Sequence, residues 1–193
     1  MFRKFLLLCM ALATFTMQIQ AISINELNGS PQFKNVYQKT YSFDDASSNR
    51  IVHFLNTYSV EVLEYAAPHY KLKGTFYSVD EHARGWAITE YELTATYDTN
   101  YSLGSLIEAQ KSVKPSPAMY AVIKKAQDES GIQIELQVVN RYTWDGAVVN
   151  GLGKFVHQSR PLDRSRIDED LFAIADAMFV VAYQQHFDDI VVK

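Results

Sequence analysis

The pair Asp145-Gly146 lies between two runs of alternating apolar and polar residues that together span Ile132 to His157. A two-residue type I′ turn needs positive φ at both central positions, which Asp tolerates and Gly favours. With Trp144 opposite Ala147, Tyr142 meets Val149, Leu136 meets Phe155 and Ile134 meets His157 on one face. Glu135, Gln137, Arg141, Asn150 and Lys154 fall on the other face, with Val139 and Leu152 as an apolar pair among them. A slip of one residue would turn both faces over, so the pattern specifies a register as well as a hairpin. Few other folds of residues 132–157 satisfy turn chemistry and alternation together.

What precedes this hairpin has to be pared before it is read. Arg3 and Lys4 open the chain, Phe5 to Phe15 is an apolar run, and Gln18-Ile19-Gln20-Ala21 ends on a small residue. That is the layout of a secretory signal peptide cut near Ala21. The run falls short of the ~20 apolar residues needed to span a bilayer. The expected mature chain, residues 22–193, is one domain, and a 193-residue sequence with 48% apolar content is enough for a sizeable core. The single cysteine, Cys9, lies in the leader, so the expected protein is periplasmic or secreted, free of disulfides, and lacks a thiol nucleophile or thiolate metal site. Removing Arg3 and Lys4 from 18 basic residues leaves 16 against 22 acidic ones, a net −6. An acidic chain without a basic cluster is a poor match for nucleic acid.

Periodicity supplies the remaining elements. Phe33, Val36, Tyr37 and Tyr41 suit an edge strand or a docked tail. From Ser42 to Pro68, the residues Ile51, Phe54, Leu55, Tyr58, Val62 and Tyr65 recur at helical spacing, which predicts an amphipathic helix. The β-branched Val52, Val60 and Val62 leave a strand open for part of it. Tyr70 to Val79 and Trp86 to Asp98 alternate like two antiparallel strands. Helical spacing returns over 103–113, again after Pro117, and in a last helix from about Arg166 to Phe187. These elements predict a two-layer α+β domain: about four antiparallel strands in two hairpins, with three main helices packed on one face.

Motifs for chemistry are missing. There is no nucleophile elbow, zincin helix, phosphate-binding glycine loop or EF-hand. His53 reads as a packed or surface residue, and His186 with Asp188 and Asp189 makes only a loose candidate for metal, so no metal or cofactor is expected. His157 is the histidine that the hairpin register turns toward the core. Gly151 and Gly153 share its face, opposite Asn140 and Val138, and remove side-chain volume there. The glycines either admit a close helix or keep open a cleft formed by Asn140, Gly151, Gly153 and His157. Two functions are consistent with this: a non-catalytic envelope protein binding a protein, peptide or small ligand, or a small hydrolase-like enzyme with His157 as general base.

Overall fold

The computed structural model describes residues 22–42, 48–81, 87–110, 121, 124, 126, 128–149, 160–164 and 168–192. Six strands form one antiparallel sheet in chain order: β1 (Phe33–Ser42), β2 (Ser48–Ala66), β3 (His69–Asp80), β4 (Ile88–Asp98), β5 (Ile132–Tyr142) and β6 (Arg160–Pro161). The sheet curls into a half-barrel. The main helices among the described residues are α1 (Ile24–Gly29), α2 (Leu103–Gln110) and α3 (Glu169–Tyr183).

The four-strand, three-helix arrangement expected from the sequence is therefore wrong. Residues 48–66, read as a helix, are the longest strand of the sheet, paired with β1 on one side and β3 on the other. The reason lies in burial on both faces. Val52, His53, Phe54 and Leu55 are all buried, so the apolar run carries no period of two. His53 and Leu55 point to one face, and Val52 and Phe54 to the other. The β-branched residues that left a strand reading open are what the pleated backbone favours.

Each face carries its own core. Leu55, Leu72, Phe76, Leu93, Tyr97, Ile132 and Ile134 pack against Ile174, Met178 and Phe179 of α3. On the opposite face Val52, Phe54, Tyr77, Val79, Ile88 and Tyr142 pack with Phe33, Ile22 and Leu27 of α1. Ser23 caps α1 by accepting the Glu26 N–H at 3.3 Å. Each fully buried Leu, Ile or Phe stabilises the fold by about 1.5–3 kcal/mol, so two modest cores suffice without cross-links. The helices are thus divided between the faces, not layered on one. Close approach of α3 depends on Gly74, where an added Cβ would stand 3.3 Å from Met178 Cε. A glycine thus sits under a helix on β3, while Gly151 and Gly153 lie outside the described residues.

That hairpin starts as predicted and then departs by one residue. Gly146 has φ +92°, and its N–H donates to Thr143 O at 3.0 Å while Thr143 N–H donates to Ala147 O at 3.0 Å. This is a three-residue loop, a type I turn closed by a left-handed glycine. The Thr143 hydroxyl donates to Asp145 and accepts from the Ala147 N–H, which lengthens the loop. Tyr142 accordingly bridges Val148, not Val149, and further along Ile134 pairs with Arg160, not His157. The antiparallel pairing of β3 with β4 agrees with the sequence reading, and β1 takes the edge-strand place, one of the two left open for Phe33 to Tyr41. The helix expected after Pro117 falls largely outside the described residues. Among the described residues no helix is long and apolar enough to cross a membrane.

Candidate functional site

The helix-covered face is not filled along its whole length. Near the N-terminus of α3 it leaves a cavity of about 250 Å³, lined by Tyr37 and Tyr41 of β1, Ile51 and His53 of β2, Phe76 and Ser78 of β3, Tyr91 of β4, Leu136 of β5, and Asp170 and Leu171 of α3. Alternation puts these strand residues on one face: Ile51 and His53 two apart, Phe76 and Ser78 two apart, with His53 directly opposite Ser78 and Phe76 opposite Tyr91. Four of the ten lining side chains are aromatic besides the imidazole. Phe76 and Tyr91 stack with centroids 4.9 Å apart and planes within 11°. Tyr37 lies nearly parallel to His53 at 5.7 Å, and Phe76 meets the same imidazole edge-on at 5.7 Å.

His53 and Asp170 are the polar centre. His53 Nε2 lies 3.5 Å from Asp170 Oδ2, while Nδ1 is shut off from solvent and makes no hydrogen bond. A buried polar group without a partner costs about 1–3 kcal/mol, a cost that packing elsewhere does not require. Burial pushes the Asp170 carboxyl up, but the hydrogen bond with His53 and the Leu171 N–H, donated at 2.8 Å, outweigh it and hold the carboxyl below its ordinary range. Its place in the first turn of α3 favours the anion as well. Around the rim, Tyr37 donates to Glu169 Oε2 at 3.3 Å, and Lys39 lies 3.6 Å from the same oxygen. Burial, then Glu169, pushes the Tyr37 phenol up to about 12. Tyr91 is raised by burial, against the opposing pull of Arg141 and the Thr89 hydroxyl.

The residues proposed from sequence lie elsewhere. Asn140 is on β5, on the face away from the cavity, where its amide donates to Glu90 Oε2 at 2.9 Å. Glu90 also accepts from the Tyr142 hydroxyl, and Tyr77 stands 3.5 Å from its other oxygen. That cluster is fully partnered. Gly151, Gly153 and His157 lie outside the described residues. His186 is committed to Asp176, at 2.6 Å from Nδ1, and Asp188 to Arg164, so these two do not converge on a common point. No group of three His, Cys, Asp or Glu among the described residues is placed to hold a metal ion. Comparison with known family models, curated proteins and solved structures finds no match for this chain.

His53 and Asp170 were missed for one reason. Assigned to a helix, His53 fell beside an apolar stripe with no neighbour to define its role. Assigned to a strand buried on both faces, a histidine between Val52 and Phe54 has to enter a core. That run of residues was the available signal.

Proposed function

We propose that this chain is an exported, non-catalytic binding protein that holds a small ligand in the cavity between α3 and strands β1 to β5. The observation carrying this reading is the cavity itself: about 250 Å³, walled by aromatic and aliphatic side chains, with a few convergent polar groups. Such concave, mostly apolar sites with sparse polar contacts are the usual form of small-molecule sites. Binding is favoured over catalysis by the state of His53, the one histidine among the described lining residues. Its Nε2 is directed at Asp170 and its Nδ1 is shut off from solvent, whereas a general base needs a nitrogen within hydrogen-bond reach of the substrate proton. The leader-like composition of residues 1–21 supports export.

Both halves of the proposal are measured on one sample. Protein recovered from the native envelope should have an intact mass beginning near Ile22, and native mass spectrometry should show a retained small molecule. Ser78→Trp, which places an indole in the cavity, should lose that molecule while retaining a cooperative melt. Recovery of the full chain in a membrane fraction defeats the export reading. A ligand retained unchanged by the tryptophan variant defeats the cavity reading.

A further inference from the structure

Granted that the cavity is a ligand site, we infer that its ligand is an organic ammonium: a protonated amine on a compact apolar body. The first ground is charge. Among the described residues Asp170 is the only carboxylate lining the cavity. Its described partners are an imidazole nitrogen at the long distance of 3.5 Å and the Leu171 N–H. A carboxylate offers about four acceptor positions, so Asp170 keeps acceptor capacity for a ligand. Its depressed pKa is consistent with a standing negative charge despite burial. The nearby cation Lys39 does not neutralise it, because Lys39 pairs with Glu169 and lies over the Tyr41 ring at 5.5 Å from the centroid.

The second ground is the wall. Tyr37, Tyr41, Phe76 and Tyr91 line the same cavity as this carboxylate. Aromatic faces carry a negative quadrupole and attract cations within about 6 Å of the centroid, more strongly where water is excluded. A neutral donor can also hydrogen-bond to the carboxylate, but it gains less from the ring faces than a cation does. An anion would meet Asp170 inside the cavity and Glu169 at its rim. A cation is served by both the rings and the carboxylate, and Ile51, Leu136 and Leu171 provide the apolar surface for its body.

The experiment uses three probes of nearly equal shape: benzylammonium, benzyl alcohol and benzoate. Dissociation constants are measured with the mature chain by ligand-observed NMR. The expected order is benzylammonium tightest, by about tenfold over benzyl alcohol, a ratio in the range of a partly desolvated cation–π and ion-pair contact, with benzoate weakest. Asp170→Asn should reduce the tenfold preference for the ammonium to about threefold or less. Tyr91→Leu, read alongside its melting temperature, should weaken the ammonium more than the alcohol. That second variant decides the matter if Asp170→Asn does not fold. Equal binding of alcohol and ammonium by the wild type overturns the ammonium inference and leaves the cavity reading standing. Failure of all three probes, with no difference between the wild type and Ser78→Trp, overturns the cavity reading and this inference with it.

Discussion

Raising the pH above 10 should unfold this protein through its buried tyrosines. Tyr97 is fully buried in the core under α3, and its hydroxyl donates to Ala175 O at 2.8 Å. Burial pushes its phenol well above the ordinary value, with Asp176 adding to the effect. On the opposite face Tyr77 and Tyr142 are raised by burial and then by Glu90, at which both hydroxyls are aimed. All three folded values exceed the unfolded value of about 10. Their contribution to stability is therefore fully present below pH 10 and is lost as pH rises from there toward the folded values. At pH 11 the unfolded chain binds close to one proton fewer per tyrosine, which costs about 1.4 kcal/mol for each and about 4 kcal/mol for the three. Against a typical domain stability of 5–15 kcal/mol, that is a large fraction. With a urea slope of about 2 kcal/mol per molar, the denaturation midpoint should fall by about 2 M between pH 9 and pH 11. Urea titrations at the two values, with tyrosinate absorbance recorded on the same samples, measure both the loss and its origin. Tyr97→Phe should remove about a third of the pH-dependent drop. A midpoint that does not move, with every tyrosine titrating near 10 before unfolding, refutes the burial argument.

Two further perturbations test local structure. Arg160 reaches Asp168 with two donors at 2.9 and 2.6 Å, and the carboxylate is nearly buried; Arg160→Leu should cost about 2 kcal/mol in urea titration. The Arg160 hydrogen bond holds the Asp168 carboxyl low, so that stabilisation is present above about pH 4 and the gap between wild type and variant should close as pH falls below it. Gly146 sits at φ +92° in the turn after β5, and Gly146→Val should destabilise by more than about 1 kcal/mol because a β-branched residue resists that region; an unchanged melting temperature would contradict the turn geometry.

How far the sequence could be read depended on how each strand is buried. β3 and β4 alternate cleanly enough that their pairing is visible in Lys71, Lys73 and Thr75 set against Leu72 and Phe76. The left-handed glycine at 146 is also legible, because the conformation is local. The extra loop residue is not, since it depends on whether the Thr143 hydroxyl engages Asp145 and Ala147. β2 was the costly error. Ile51, Phe54 and Leu55 satisfy a period of 3.6 by coincidence, because over residues 52–55 β2 is buried on both faces and has no polar side there to betray a period of two. Tyr58, Val62 and Tyr65 extend the spacing from exposed positions. Once β2 is lost, so is the site: His53 meets Asp170 across 117 positions of sequence, and no local pattern encodes that approach. Of the residues expected to form a cleft, Asn140 serves the Glu90 cluster, a partnership set by the pairing of β4 with β5.

Every neighbouring pair of strands in this sheet is also adjacent in the chain. Such an order lets the sheet grow strand by strand, with short connections between β1, β2, β3 and β4 and longer passages from β4 to β5 and from β5 to β6. The helix that completes the core on one face comes last, at residues 169–183, and lies across β1, β2 and β3 near the beginning. As the chain emerges in order, then, Leu55, Leu72, Phe76 and Tyr97 stay uncovered until residues 169–183 follow, an interval in which exposed apolar surface invites association with other chains. The cavity shares that timetable, because Asp170 and Leu171 form one of its walls. A chain stopped short of residue 170 has the sheet but not that wall.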